Sequence, residues 1–276
     1  MRILILGASG FIGLRLAQYA LFLGHDVTAL CRREHIDAYP GACVRWQLGE
    51  AVPKNVAVGA HCAVHLAYDF SGAEGAERSL FGVLQAVDTL CAAGVDRQIV
   101  FSSYSASDNA ISLYGKTKRA MEKALLGKPG VCIARPGLVL GDGGIYGRIR
   151  KWARLLPCIP LPDGGRGLTP VISIERLCKE TIALATAPTL PAEANLFESG
   201  LRSLRDIVLD AARENNRYPF IVPIPSGLML RMLYLAALLR LPLPVNADNL
   251  AGFLANQNAN HRSTLLNEIP SVVPER

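Results

Sequence analysis

Three residues near the middle of the chain have types and spacing suited to acid–base chemistry on an oxygen. Tyr114 and Lys118 are four positions apart, so on a helix they share one face, a turn apart. A tyrosine phenol ordinarily titrates near about 10. An ammonium beside it favours the phenolate and lowers that value, which makes Tyr114 a usable proton donor or acceptor near neutral pH. Ser103, just beyond an apolar run, is placed to hydrogen-bond a substrate oxygen. The Tyr-x-x-x-Lys pair taken alone also fits an ordinary surface helix turn. It gains meaning from the serine and from a second motif at the start of the chain.

That motif is Gly7-Ala8-Ser9-Gly10-Phe11-Ile12-Gly13. It follows Met1 to Leu6, an apolar run that reads as a buried parallel strand, and leads into Leu14 to Leu23, which reads as a helix. Strand, glycine turn and helix start together form a dinucleotide cradle. The first glycine permits the tight turn, the second lets backbone approach a pyrophosphate, and the third lets helix and strand pack closely. The helix N-terminus faces the phosphate charge. The spacing is Gly-x-x-Gly-x-x-Gly, one residue looser than the usual fingerprint.

The elements that must hold these motifs alternate. His25–Cys31 reads as the second strand, 43–48 as the third, 60–67 as the fourth and 98–101 as the fifth, leading into Ser102-Ser103. Helices are expected over 71–93 and 112–126, and a sixth strand over 130–134, ended by Arg135-Pro136-Gly137. Strict alternation predicts right-handed crossovers and an α/β, Rossmann-like doubly wound parallel sheet. His65, inside the fourth apolar run, reads as a core residue. After about residue 140 Pro and Gly cluster. Helices are expected over 173–187 and 201–215 and a short strand over 195–198, with an irregular C-terminal third forming a small substrate-binding cap. The division expected is a dinucleotide-binding domain of residues 1–140 with parts of 168–200, and a smaller region of 141–167 and 200–276. Leu228–Leu239 reads as a helix packed in that cap, with a membrane-surface helix as the alternative because Arg231 and Arg240 flank an apolar body.

The second strand ends on Cys31, where a ribose-binding acid often stands, and Arg32 and Arg33 follow. Guanidinium forks match phosphate oxygens, whereas a carboxylate would repel a 2′-phosphate, so the pair favours NADP over NAD. Composition agrees with an anionic small-molecule ligand. The net charge is +6 and half the residues are hydrophobic, with mean hydropathy +0.25. No Lys/Arg run or basic-aromatic motif points to nucleic acid. Seven cysteines occur singly, without a Cys-x-x-Cys pair, which suggests reduced thiols in the cytoplasm. No secretory leader, no integral membrane segment and no metal-ligand spacing is read from the sequence.

Taken in order, these motifs resemble the extended or atypical short-chain dehydrogenase/reductases, in the NAD(P)-dependent sugar epimerase/dehydratase group. The matching segments are Gly7–Gly13, Val64-His65-Leu66-Ala67, Phe101-Ser102-Ser103, Tyr114 to Lys118, Arg135-Pro136-Gly137 and Val171 to Leu177. The resemblance implies that Gly7, Ser9, Gly10, Phe11, Ile12, Gly13, Leu66, Ala67 and Pro136 line the cofactor, with Arg32 and Arg33 at its far end. Tyr114 would be the catalytic acid/base, Lys118 would lower its pKa and hold the nicotinamide ribose, and Ser103 would steady the reacting oxygen. It also implies a homodimer paired through the helices at 71–93 and 111–127.

Some features depart from the group. About ten residues separate Ser103 from Tyr114, a short loop for a sugar-modifying member. Thr169 stands where many sugar-nucleotide members carry a diphosphate-clamping arginine, with Arg166 as the candidate substitute. Tyr68, Asp69, Tyr104 and Asp142 either face the pocket or form a solvated rim. The expected activity is epimerase/dehydratase-type hydride chemistry on a nucleotide sugar or related carbinol. The alternatives are an NADPH-dependent reductase of a small ketone or aldehyde, and a non-catalytic dinucleotide-binding regulator.

Overall fold

A computed structural model describes residues 1–37, 39–239, 247–256 and 261–265. Along the chain come β1 (Arg2–Leu6), α1 (Phe11–Phe22), β2 (Asp26–Cys31), β3 (Ala42–Arg45), α2 (Lys54–Ala57), β4 (Cys62–His65), α3 (Gly72–Ala92), β5 (Gln98–Phe101), α4 (Leu113–Leu125) and β6 (Val131–Pro136). There follow β7 (Leu138–Leu140), α5 (Gly144–Leu155), β8 (Cys158–Pro162), β9 (Leu168–Ser173), α6 (Ile174–Thr186), β10 (Glu193–Leu196), β11 (Leu201–Ser203), α7 (Leu204–Arg213), β12 (Phe220–Ile224), α8 (Ser226–Leu238) and α9 (Ala247–Asn256).

Seven strands form one sheet in the order β10-β6-β5-β4-β1-β2-β3. Every pairing in it is parallel. The order reverses beside β1, so the carboxyl ends of β1 and β4 flank the crevice where such sheets bind ligands. The sheet is buried on both faces. On β1, Ile3 and Ile5 point into a core with Leu16, Ala17 and Ala20 of α1 and Leu177, Cys178 and Ile182 of α6. Leu4 and Leu6 point the other way, toward Ala86 and Leu90 of α3. The same helical side of the sheet closes over Val83, Val87, Met121 and Leu125. A continuous apolar run is what a strand covered on both faces requires.

A second core lies outside this sheet. It joins Tyr146 and Ala153 of α5 to Ile159, Leu161, Val171 and the inner face of α7. Around it stand a three-stranded sheet, β11-β9-β7, and the pair β12-β8.

The second half is more regular than its sequence suggests. A 12-residue helix, α5, for which no expectation was made, lies just before the Pro/Gly cluster that starts at Pro157. The helix expected from 201 begins at Leu204, because Leu201–Ser203 pair antiparallel with β9. The C-terminal third, expected to be irregular, holds β12, α8 and α9. α1 starts at Phe11, three residues before the expected position, since the backbone coils directly out of the glycine turn. The third strand stops at Arg45, short of the expected Leu48, because Trp46 turns inward to bury its ring and donates its indole N–H to the Glu50 carbonyl at 2.9 Å.

Candidate active site

The glycine turn is held by Leu30 of β2, whose carbonyl accepts from the Gly7 and Ala8 N–H groups at 2.8 and 3.3 Å. Gly7 has φ +92°, and a Cβ there would stand 2.6 Å from the Ala67 nitrogen. Only glycine satisfies both the turn and the close approach of the chain leaving β4. A Cβ on Gly13 would stand 2.8 Å from the Ala8 Cα, so the third glycine sets how closely α1 sits on the turn. α1 opens at Gly10 without a side-chain cap and without an acidic residue in its first turn. Its free N–H groups are therefore available to an anion. Leu66 and Ala67 lie beside Gly7, anchored by the Leu66 N–H to the Leu6 carbonyl at 2.8 Å. These residues fit a dinucleotide diphosphate. The Phe11 ring itself packs on Gly141 and Gly143, which ties the turn to the start of α5.

At the far end of β2, Cys31 is buried and Arg32 and Arg33 are exposed.

Ser103, Tyr114 and Lys118 come together at the carboxyl end of β5. Ser112 caps α4, accepting from the Gly115 N–H at 3.0 Å. α9 adds a second cap, with Asp248 accepting from the Leu113 N–H at 2.6 Å and the Tyr114 N–H at 3.4 Å. Lys118 is buried and donates from Nζ to the Phe101 carbonyl at 2.6 Å. Its Nζ lies 5.8 Å from the Tyr114 ring centroid and 5.2 Å from that of Tyr68.

The electrostatics correct the sequence expectation. Burial pushes the Tyr114 phenol up to about 12, helped by the neighbouring Tyr68 phenol, while the Ser103 hydroxyl pulls the other way. Burial also lowers Lys118 to about 8, against the pull of Glu122. The ammonium spends a hydrogen bond on the Phe101 carbonyl and is itself desolvated, so it does not bring the phenol toward neutrality in this state. Two aromatic rings pack against the phenol ring. Tyr68 meets Tyr114 edge-on at 4.9 Å, and Phe70 stacks on it at 5.9 Å. Tyr68 was one of four residues whose placement the sequence left open; Phe70 carried no signal, since a loop position has no period from which to read direction.

The other three open positions resolve differently. Asp69 shapes the start of α3, accepting from the Ser71 N–H and hydroxyl at 2.9 and 2.6 Å and from Arg78 at 2.9 Å. Those bonds, the Ser71 hydroxyl first, hold its carboxyl down to about 2. Tyr104 is buried against Phe197 and His261. Asp142 pairs with Arg150 and lies 3.8 Å from Arg15. His65 is a core residue, as expected: Nε2 donates to Gln98 Oε1 at 2.9 Å, and burial lowers the ring to about 4, so it stays neutral.

Behind the triad is a buried ionic network the sequence did not reveal. Glu122, one turn after Lys118, accepts from the Ser102 hydroxyl at 2.5 Å and from Arg135 Nε and Nη2 at 2.6 and 2.9 Å. Arg119 adds a bond at 3.1 Å, and Arg135 reaches Glu193 on β10 at 2.8 Å. Burial works against the Arg135 charge, but Glu122 and Glu193 overcome it and hold the guanidinium more firmly protonated than usual. The network fixes α4 to β6, and with it the position of Pro136, which is buried at the end of that strand. Thr169 is buried, and Arg166 is exposed with its Nε on the Asp163 carbonyl at 3.1 Å.

The model of the NAD dependent epimerase/dehydratase family matches residues 3–151, more than half of the chain. The chain belongs to that family. No curated protein matches its sequence significantly. Among solved structures it resembles MoeE5 in complex with UDP-glucose and NAD, at 20% identity and TM-score 0.69, covering 82% of this chain and 85% of that one. It also resembles TunA, an NAD-dependent NDP-hexosamine 5,6-dehydratase, at 21% identity and TM-score 0.65 with the same coverage. The UDP-glucose 4-epimerase of Thermotoga maritima aligns at 15% identity and TM-score 0.68 over 82% and 87%. At these identities the likeness shows a shared fold. The family match covers the glycine turn, the Ser103 strand end, the Tyr114–Lys118 helix and Pro136.

Proposed function

We propose that this family member is an NAD(P)-dependent epimerase/dehydratase-type oxidoreductase acting on a carbinol carbon, with a nucleotide sugar as the favoured substrate class. The observation that carries this is the convergence of Ser103, Tyr114 and Lys118 at the carboxyl end of β5, beside the glycine turn. Gly7, Gly10, Gly13 and the first turn of α1 hold the diphosphate, with Ser9, Phe11 and Ile12 shaping the turn and Leu66, Ala67 and Pro136 beside it. Lys118 holds the nicotinamide ribose. When bound, the nicotinamide supplies or takes a hydride. Ser103 orients the reacting oxygen, and Tyr114 exchanges the proton at that oxygen.

With the phenol near 12 and the ammonium near 8, Tyr114 in this state holds its proton and is a weaker acid than a free tyrosine. Removing a proton from a carbinol requires that the phenol–ammonium distance shorten or that Tyr68 and Phe70 move aside. Arg32 and Arg33 support NADP at the adenosine end. The arginine pair favours the NADPH-dependent reductase as the second reading. The nucleotide sugars in the complexes of MoeE5 and the Thermotoga maritima epimerase support the first.

The substrate side is built from residues 141–167 and the segment after 200. We further propose a cytoplasmic homodimer pairing through α3 and α4. These two helices pack side by side, and Phe81 stands outward from α3. Light scattering at micromolar concentration tests the dimer.

The functional test is titration of the purified protein with NAD, NADP and their reduced forms, followed by turnover with and without Tyr114→Phe. The variant should bind dinucleotide normally and lose about two to four decades of turnover. Retained turnover would transfer the role from Tyr114, and failure to bind any dinucleotide would overturn the reading.

A further inference from the structure

α8 is built the wrong way round for a cap helix. Its inward side is small and shallow: Ala236 is buried, and Met229, Leu230 and Leu233 are half-buried against neighbours that include α9. Its outward side carries Leu228, Met232, Leu235 and Leu239, each more than half exposed. Their spacing of four, three and four places them in one stripe. Tyr234 and Leu238 widen the stripe, and Arg231 is exposed between them and Leu235, inside the outward face, where its aliphatic stem can lie along apolar neighbours while the guanidinium reaches water. The expectation of a helix packed in the cap is therefore corrected: most of its large side chains meet solvent. The apolar surface continues upstream. β12 exposes alternate residues, with Phe220 at 78% and Val222 at 42%, and Tyr218 just before it at 80%. Isolated exposed apolar residues are ordinary, whereas a sustained apolar face rimmed by charge marks a contact surface.

The charge near this face is mostly basic, with Asp163 an acidic exception that accepts from the Ser226 N–H at the start of α8 at 3.0 Å. Arg148, Lys151 and Arg154 of α5, Arg217 before β12 and Arg231 of α8 are all exposed. None of the five forms an ion pair among the described residues. Arg154 and Arg217 frame a groove of about 230 Å³ whose floor and walls include Leu155, Pro157, Tyr218 and Phe220. Aromatic and aliphatic side chains beside unpaired guanidiniums suit the boundary between acyl chains and anionic headgroups. A second copy of the chain fits less well, because a two-fold contact would set this basic rim against itself. No helix among the described residues is long and apolar enough to cross a membrane, so the contact would lie in the membrane surface.

We propose that α8 and the outward face of β12 dock the protein onto an anionic lipid bilayer. The apolar stripe enters the headgroup boundary, and the Arg154–Arg217 groove receives a lipid phosphate. This goes beyond the proposed activity and needs no dinucleotide. The docking face is one helix removed from the catalytic tyrosine, since α8 packs on α9 and Asp248 of α9 caps the Tyr114 backbone.

The test is co-sedimentation of the full chain with vesicles of phosphatidylcholine alone or with about 30% phosphatidylglycerol. We expect at least about tenfold more protein on the anionic vesicles, falling as salt is raised. Met232→Glu/Leu235→Glu should abolish sedimentation while keeping the thermal midpoint, because both side chains are exposed. Arg154→Glu/Arg217→Glu should remove the preference for anionic lipid. Absence of binding to either vesicle overturns the proposal, as does equal binding to both. Light scattering showing a dimer that Met232→Glu/Leu235→Glu splits, without vesicle binding, would assign the face to a second copy instead. None of these readouts depends on turnover, so their failure leaves the proposed activity standing.

Discussion

Replacing Glu122 by Gln tests whether the network behind the triad holds the site together. The carboxylate is 2% exposed and Arg135 is 4% exposed at the side chain. Both oxygens accept: one from the Ser102 hydroxyl and Arg135 Nε, the other from Arg135 Nη2 and Arg119 Nη1. A glutamine presents one acceptor and turns an N–H₂ group against guanidinium donors. Among the described residues the buried Arg135 charge then keeps Glu193 as its ionic partner, and that carboxylate is 41% exposed. Removing one member of a buried pair costs about 3–5 kcal/mol, against a total stability of about 5–15 kcal/mol. For a chain of this size that lowers the thermal midpoint by about 6–20 °C. Urea unfolding followed by circular dichroism measures the loss. A loss under about 1 kcal/mol would refute the argument, since Arg135 would then be satisfied without Glu122. Glu122→Leu combined with Arg135→Met should recover part of the loss, because the core then holds neither charge.

Burial sets Lys118 near 8 in the folded chain against 10.5 as the ordinary value, so the unfolded chain holds the proton more tightly. The penalty on folding is full below about pH 8 and fades as pH rises to 10.5. Lys118→Met should therefore be more stable at about pH 7 by roughly 1–3 kcal/mol and lose that advantage at high pH, as denaturation at both extremes would show. Tyr68→Ala should bring Tyr114 down from about 12 toward its ordinary value, because the Tyr68 phenol raises it and its ring covers it edge-on, read by ultraviolet titration; no movement would remove Tyr68 as a cause. Arg32→Ser/Arg33→Ser should weaken NADPH binding by roughly tenfold or more and NADH binding by no more than about twofold. Equal losses would remove the basis for preferring NADP.

The parallel sheet was legible because β1, β2 and β5 are near-continuous apolar runs, and both faces of each are covered. The glycine turn was legible because its function demands glycine at fixed places. α5 was hidden because Gly144 and Gly147 sit in its first turns and Pro157 follows it, so the helical period competes with breakers. β11 was read as the first turn of α7 because the partner that makes it a strand, β9, is distant in sequence. The triad residues were identifiable by type, but their ionisation was not. It depends on the Phe101 carbonyl, on Tyr68 and on Glu122, each placed by tertiary packing. α8 was recognisable as a helix, while its exposure depends on what stands opposite, which no local pattern records.

Asp248 has a consequence for the order in which the chain becomes competent. A ribosome releases the strands of the central sheet first, and β10 completes that sheet at Leu196. Helix α4, which carries Tyr114 and Lys118, is then already flanked by its sheet neighbours and capped by its own Ser112. Its second cap arrives with α9, some fifty residues later. Asn256 of α9 then joins Ser105, and Thr264 pairs with Asn195 in both directions across the open edge of β10. Segments synthesised after the sheet thus lock the candidate site, and a nascent chain can hold a finished glycine turn before Tyr114 is fixed in place.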